Sequence, residues 1–466
     1  MDAIIIGTGQ AGAPLAARLA AQGKKVAIVE RHKVGGSCVN YGCTPSKTLI
    51  ASARAAYVAR RGAEWGVHTG DVTIDFARVM ERVRERIRES NERLTKRMET
   101  TENITFHRAT GYFDGTGDGL HRVRISDAPD GIAAAPHVFI NTGTRSVMPK
   151  IDGLQEVGAL DSESIFDLET LPAHLICLGG GYVSLELGQA FRRLGSKVTV
   201  IEAAPSLIEH EDADIIDAVT HRLTEEGIII VTRRRTTRAE RDGDEIVLTL
   251  SDHNGGSSTV RGSHLLVAVG RAPNTDALNL GAVGVNTDKE GYIPTNGFLQ
   301  TNIPGIWALG DVNRRGAFTH TSYQDFEVVL DVLNGGSRSV NDRVSTYAMY
   351  IDPPLGRVGM NEKQARHAIE QEKGRRLFMS TLPMNQVSRA KEQGETTGLL
   401  KLIVDMDTEK IAGASFFGMH CDEVVQVVSY FMATGASYKV MRDALPVHPT
   451  VAEFLPTMLQ SLKPLE

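Results

Sequence analysis

One pattern occurs twice in this chain and constrains its fold more than any other feature. An apolar run leads into a glycine-rich loop, then into a helix-like segment, a second apolar run and an acidic residue. The first copy begins at Ala3 and the second at His174. In both copies the acid lies 21 residues after a loop glycine, and the pairs are Gly9 with Glu30 and Gly181 with Glu202. This repetition predicts two strand–helix–strand units, each with a phosphate-binding turn.

Each position of the glycine loop has its own physical role. The first glycine permits a tight turn, the second lets the backbone approach a pyrophosphate, and the third lets the helix pack on the strand. In the first copy these positions are Gly7, Gly9 and Gly12. In the second copy they are Gly179, Gly181 and Ser184. We therefore predict two dinucleotide sites with phosphates at the helix N-termini, and slightly looser helix packing at Ser184.

The acids that close the two units bear on the choice of coenzyme. Glu30 and Glu202 can accept hydrogen bonds from ribose hydroxyls, and a carboxylate at this position repels a 2′-phosphate. No Arg or Lys lies between Glu202 and Glu211 to neutralise such a phosphate. NADH is therefore expected over NADPH at the second unit. The arginine run at 233–235 leaves NADPH open, although a solvated strand end is the simpler interpretation of that run.

Composition excludes several classes of protein. The 466 residues allow about three domains, and 41% hydrophobic and 23% charged residues are typical of a globular protein. A net charge of −6 does not favour nucleic acid or anionic membranes. No apolar run reaches transmembrane length. Because a strand-like run begins at residue 3, no targeting peptide is expected before the fold. We expect a cytoplasmic protein, in which four cysteines do not form a disulfide scaffold.

Cys38 and Cys43 form a closely spaced pair directly behind the first unit. A disulfide between them needs a local distortion, because residues five apart do not face each other on a regular helix, and Gly42 and Pro45 suit such a distortion. Lys47 follows, and its charge can stabilise a thiolate. A redox-active dithiol is the favoured interpretation. A metal site and two inert thiols stay open, but the spacing is not that of zinc sites.

The motifs occur in an order that resembles a known family. They are the first glycine loop, the Cys38–Cys43 segment, 140–143, the second glycine loop, 269–275, 307–311 and 448–453. This set resembles the class I pyridine nucleotide-disulfide oxidoreductases, which include dihydrolipoamide dehydrogenase, glutathione reductase and mercuric reductase. The resemblance covers the whole chain. It implies an α/β fold with two Rossmann-like dinucleotide-binding domains and a C-terminal α+β dimerisation domain.

The resemblance also implies roles for single residues. Cys38 is the expected interchange thiol and Cys43 the charge-transfer thiol. Lys47 is expected beside the flavin and paired with Glu186, while Tyr182 gates the nicotinamide pocket. The residues expected at FAD are Gly7, Gly9, Gly12, Glu30, Lys47, Gly111, Thr142, Gly143 and Asp311. Those expected at NAD(P) are Gly179, Gly181, Tyr182, Glu186, Glu202 and Gly270.

Simpler interpretations exist for three of these residues. Lys47 and Glu186 could form an ordinary surface ion pair, which contributes little. Tyr182 could be a core residue, because aromatic side chains dominate interiors. Asp311 could only cap a helix, a position where Asp is common.

A candidate base lies near the C-terminus. His448 precedes a proline, which favours an extended backbone and permits a cis bond. Pro449 or a near neighbour is expected to start a helix through Phe454, with Glu453 about one turn in and close to the imidazole. A dithiol reductase needs such a base, because one thiol must lose a proton and another must gain one. The resemblance implies a homodimer in which His448 crosses the interface to the partner's Cys38.

The motifs divide the chain into four segments. Residues 1–150 form the first part of the FAD domain and 271–340 its return segment. The NAD(P) domain takes 151–270. The remainder, 341–466, is expected to be an antiparallel sheet with helices that forms the dimer interface.

The expected enzyme is a flavoprotein disulfide reductase that passes electrons from NAD(P)H through FAD and the Cys38–Cys43 pair to a small disulfide or oxidised electrophile. Dihydrolipoamide dehydrogenase in a multienzyme complex stays as an alternative. Mercuric reductase is disfavoured, because residues 458–462 lack the vicinal cysteines that hand over the metal. A third alternative is a quinone reductase that acts at the flavin. No metal and no nucleic-acid or membrane partner is expected.

Overall fold

The computed structural model describes residues 1–126, 131–372 and 374–465. Its N-terminal sheet has five parallel strands, with the first strand of the chain at its centre. The order across the sheet is Ile306–Ala308, His137–Ile140, Ala3–Ile6, Val26–Val29 and Ile104–His107. The apolar runs at residues 3–6 and 26–29 are buried along their whole length, as expected for a parallel sheet covered on both faces.

A second parallel sheet repeats this arrangement. Its order is Ile229–Val231, Lys197–Ile201, His174–Leu178 and His264–Val267. The helix Gly12–Ala21 follows the first glycine loop and Tyr182–Leu194 follows the second. Both predicted strand–helix–strand units are therefore present.

Antiparallel strands accompany both parallel sheets. One three-stranded sheet contains Gly111–Gly117, Leu120–Ile125 and Ile132–Ala135. Another contains Arg235–Asp242, Glu245–Ser251 and Ser257–Gly262. The strands Thr144–Ser146 and Arg271–Pro273 pair with each other in antiparallel fashion. The first leads from the first nucleotide unit to the second, and the other leads back.

The C-terminal part is built on a six-stranded antiparallel sheet. Its order is Thr346–Met349, Leu355–Gly359, Lys410–Phe417, Leu399–Asp405, Leu377–Pro383 and Lys463–Pro464. The helices of this part are Glu362–Gln371, Ser388–Glu392, Cys421–Ala433, Tyr438–Arg442 and Phe454–Gln460. The predicted α/β class is confirmed.

Two helices carry the cysteine pair into the middle of the molecule. They are Gly36–Asn40 and Cys43–Arg60. Leu49 of the longer helix and Leu187 of the second nucleotide unit belong to one buried core. That shared core fixes the cysteines relative to the second unit. The remaining helices are Phe76–Thr100, Ala213–Glu225 and Thr319–Leu333.

One prediction about the C-terminus is wrong in detail. The last helix begins at Phe454 and not at Pro449, so Glu453 is its N-cap residue and not part of its first turn. The Thr450 hydroxyl accepts a hydrogen bond from the Glu453 amide, which gives the preceding residues a turn instead. The His448–Pro449 bond is cis. Over the described residues, no helix is long and apolar enough to cross a membrane.

Candidate active site

A cavity of about 1330 Å³ runs from the first glycine loop to the cysteine pair. It takes in nearly every residue predicted to hold the first dinucleotide. Those that line it are Gly7, Gly9, Glu30, Lys47, Gly111, Thr142, Gly143 and Asp311. Gly12 does not line the cavity. A Cβ there would come within 2.2 Å of the Gly7 carbonyl oxygen, so Gly12 permits close packing of the helix, as predicted.

The acids at the ends of the two units have a role that the sequence did not reveal. The Glu30 carboxylate accepts hydrogen bonds from the Thr8 amide at 3.0 Å and the Thr8 hydroxyl at 2.7 Å. Glu202 accepts one from the Gly180 amide at 2.5 Å. Thr8 and Gly180 are the middle residues of their glycine loops. The equal spacing in the sequence thus reflects an acid that holds its own loop in shape.

The polar groups of the first cavity fit FAD. Thr142 lines the cavity, and its buried hydroxyl has no hydrogen-bond partner among the described residues. A buried hydroxyl normally finds a partner, so this one suits a ligand oxygen or nitrogen. Asp311 accepts hydrogen bonds from Thr144 at 3.2 Å and Ser322 at 3.4 Å, and burial raises its pKa. A Cβ at Gly143 would meet nothing within 4 Å, so the backbone there is open to a ligand.

Cys38 and Cys43 lie on two separate helices. The backbone of Gly42 between them is not helical and interrupts the helical run. This is the local distortion that their spacing requires. Both are free thiols joined by a hydrogen bond. The hydrogen bond from Cys38 lowers the pKa of Cys43 to about 6. The same contact and burial raise the pKa of Cys38. One thiol is therefore poised as a thiolate and its neighbour as a proton donor.

Thr319 also contacts the cysteine pair, and sequence analysis missed it. Its hydroxyl lies 3.3 Å from the Cys43 sulfur, and this contact also lowers the pKa of Cys43. Thr319 is the first residue of a 15-residue helix that begins 276 positions further along the chain. No local motif marks it, so only the folded chain reveals the contact.

Lys47 and Glu186 form a partly buried ion pair beside the cysteines. The Lys47 ammonium lies 2.7 Å from the Glu186 carboxylate, which is 4% exposed and also accepts a hydrogen bond from the Tyr350 amide. Lys47 lies 4.6 Å from the centre of the Tyr350 ring. Burial of the carboxylate excludes an ordinary surface pair.

Tyr182 is 38% exposed, so it is not a core residue. It lines both the first cavity and a second one of about 660 Å³, so the two predicted nucleotide sites meet at this ring. Its ring packs against Phe318, which in turn stacks on His320 and Tyr347. Sequence analysis missed this aromatic cluster, because its members come from two helix starts and a strand that are far apart in the chain.

The second cavity contains most of the residues predicted at NAD(P). Those that line it are Gly179, Gly181, Tyr182, Glu202 and Gly270. Glu186 is the exception and lines only the first cavity. A Cβ at Gly181 or Gly270 would meet nothing within 4 Å, which leaves the backbone open to a pyrophosphate. Arg271 lines both cavities.

His448 and Glu453 form the expected pair, but neither belongs to the lining of the cysteine cavity of their own chain. The imidazole Nδ1 is 2.9 Å from the Glu453 carboxylate. The His448 side chain is 74% exposed, and neither residue lines the cavity that holds Cys38 and Cys43. Leu445, which is 98% exposed, and Val447 precede them on the same surface.

Among the described residues, one group of carboxylates is close enough together to hold a metal ion: Asp212, Asp214 and Glu362. The Lys401 ammonium already lies between them, 2.6 Å from Glu362 and 2.7 Å from Asp214. This buried cation takes the place that a metal would occupy.

The fold and the paired thiols define a two-nucleotide disulfide oxidoreductase, and comparison with known proteins agrees. Residues 1–325 match the family described as pyridine nucleotide-disulphide oxidoreductase, and 345–459 match its dimerisation domain. The chain belongs to this family, whose members depend on FAD and use pyridine nucleotides. The predicted family and enzyme class are confirmed, and the dimerisation domain supports a homodimer.

Individual relatives match over the full length. The chain is 34% identical to the probable pyridine nucleotide-disulfide oxidoreductase RclA of Escherichia coli, covering 99% of each. It is 33% identical to mercuric reductase of Streptomyces lividans, covering 99% of this chain and 96% of that one. A solved Cu(II) complex of the HOCl-induced flavoprotein disulfide reductase RclA from E. coli superposes with a TM-score of 0.87 at 32% identity, covering 98% and 99% of the two chains.

Proposed function

We propose that this protein uses NAD(P)H to reduce a small disulfide or an oxidised electrophile. For a disulfide the balance is NAD(P)H + H⁺ + RSSR → NAD(P)⁺ + 2 RSH. The observation that carries the proposal is the thiol pair with opposed pKa shifts, in a cavity that reaches Tyr182 at the second nucleotide site. Bound FAD would supply the two-electron chemistry that links the nucleotide to the thiols.

The two cysteines divide the work on the substrate. Cys38 loses its proton and attacks one substrate sulfur, which releases the first thiol and leaves a mixed disulfide. The Cys43 thiolate then attacks the Cys38 sulfur, which releases the second thiol and closes the Cys38–Cys43 disulfide. Thr319 and Lys47 stabilise the thiolate at Cys43 until that step.

A proton must leave Cys38, and protons must reach the departing thiols. We assign this role to His448 of the partner subunit, held by Glu453. Support comes from the 2.9 Å contact between them, from the exposure of His448, and from its absence from the lining of its own chain's cysteine cavity. A carboxylate on one imidazole nitrogen fixes the tautomer and leaves the other nitrogen to move protons.

The proposal includes a division of the chain and a preferred coenzyme. We assign 1–150 and 271–340 to FAD, 151–270 to NAD(P), and 341–466 to the dimer interface. Glu202 lines the second cavity, where a carboxylate favours the free 2′-hydroxyl of NADH.

Copper(II) is a second candidate acceptor. The solved complex named above contains Cu(II), and two adjacent thiols, one of them acidic, are suitable ligands and reductants for copper. Two Cu(II) ions would take one electron each and become Cu(I), as the Cys38 thiol and the Cys43 thiolate form a disulfide and release one proton.

Steady-state oxidation of NADH and NADPH tests the proposal. The acceptors are lipoamide, glutathione disulfide, other small disulfides, Hg(II), Cu(II), hypohalous oxidants and quinones. Cys38→Ser is expected to abolish turnover of the disulfide acceptors. Cys421→Ser is the matched control, because Cys421 is a buried cysteine outside the site and its replacement leaves turnover in place. Disulfide turnover that survives in Cys38→Ser contradicts the proposal, and quinone turnover alone in that variant favours a reaction at the flavin.

A further inference from the structure

The arginine run that follows the strand Ile229–Val231 lies beside Glu202. This strand pairs in parallel with Lys197–Ile201, so the segments that follow the two strands leave the sheet at the same edge. The Arg234 amide donates to the Glu202 carbonyl at 3.2 Å, and the Arg233 amide donates to the Ala204 carbonyl at 3.0 Å. The run therefore wraps around the loop in which a coenzyme's 2′-substituent is expected.

Two of these arginines line the second cavity together with Glu202. Arg234 is partly neutralised, because it forms an ion pair with Asp252 at 3.1 Å. Arg235 also lines the cavity and is exposed, and among the described residues no ion-pair partner is found for it. One guanidinium at this end of the cavity is thus available to an anion.

Glu202 is a weaker barrier to an anion than its sequence position implies. One carboxylate oxygen accepts from the Gly180 amide at 2.5 Å, and the other accepts from the Ala204 amide at 2.7 Å. Hydrogen bonds from backbone amides offset part of a carboxylate's charge. The repulsion of a 2′-phosphate is therefore reduced, while lone pairs remain for a ribose hydroxyl.

We infer that Arg235, with Arg234 beside it, binds the 2′-phosphate of NADPH, so that the second site accepts both coenzymes. The inference rests on the proposed nucleotide-dependent function. The sequence favours NADH at this site and a solvated strand end for the same arginines, so the inference replaces that interpretation. Arg235 lies 33 positions after Glu202, so no local motif joins them.

Calorimetry on the FAD-loaded dimer tests this inference directly. The probes are adenosine 2′,5′-bisphosphate and AMP, which differ only in the 2′-phosphate. Arg235→Gln is expected to weaken binding of the bisphosphate by about tenfold and to leave AMP unchanged, since one charge-assisted hydrogen bond to phosphate is lost. The NADPH-to-NADH ratio of kcat/KM should fall by a similar factor.

Arg238→Gln is the matched control. Arg238 lies on the same strand, is exposed and pairs with Glu240, and does not line the cavity. If Arg235→Gln and the unchanged protein bind the bisphosphate with equal affinity, the inference about Arg235 is wrong, while the proposed nucleotide site stands. Failure of the unchanged protein to bind either probe overturns the proposed nucleotide site, and the inference falls with it.

Discussion

Removal of the Cys38 thiol should make Cys43 a weaker acid. The hydrogen bond from Cys38 is the largest of the contacts that lower the pKa of Cys43 to about 6. Thr319 and Lys47 lower it further and stay in place in Cys38→Ala. The variant therefore isolates one contact, and the pKa of Cys43 should rise while staying below that of an ordinary thiol.

The size of the effect follows from the contact and its exposure. A hydrogen bond to a charged group contributes about 1.5–3 kcal/mol, and the exposed position of Cys43 argues for the lower end. About 1.5 kcal/mol corresponds to roughly 1 pH unit. At pH 6 the thiolate fraction should fall from about one half to about one tenth.

The assay is the pH dependence of alkylation of Cys43 in the reduced protein and in Cys38→Ala, measured by mass spectrometry of the labelled Cys43 peptide. The midpoint of the rate profile is compared and not the absolute rate, because intrinsic nucleophilicity also changes with pKa. Cys177 and Cys421 are buried and serve as unlabelled internal controls. A midpoint that stays near 6 in Cys38→Ala would refute the assignment of Cys38 as the main cause.

Three further variants test other parts of the structure. Lys47→Met leaves the buried Glu186 carboxylate without its cation, so urea unfolding should show a loss of about 2 kcal/mol, and no loss would contradict the pair. Glu453→Gln should lower disulfide turnover by roughly 10-fold to 100-fold with nucleotide affinity unchanged, and full turnover would exclude the pair with His448. Lys401→Met leaves three carboxylates facing one another, and thermal unfolding should show about 3–5 kcal/mol of destabilisation; an unchanged midpoint would show that the cluster tolerates this charge.

Local rules made the nucleotide units predictable. Their glycines, buried strands and closing acids lie within about 30 residues, and parallel pairing follows from a strand–helix–strand order. The sequence also indicated the break between Cys38 and Cys43, because a disulfide at that spacing cannot form on a regular helix. The C-terminal helix begins later than its sequence predicts, because a turn at Thr450 competes with helix at the same residues.

The sequence alone determined the α/β class, the two phosphate-binding turns, the thiol pair and the His448–Glu453 pair, all through residues close together in the chain. Only the tertiary structure placed Thr319 against Cys43 and Arg235 in the cavity with Glu202. The physical reason is that these contacts join segments whose separation carries no periodicity or spacing rule. They form because packed sheets and helices bring segments that are far apart in the chain into contact. The folded chain therefore sets the acidity of Cys43 and the lining of the second cavity.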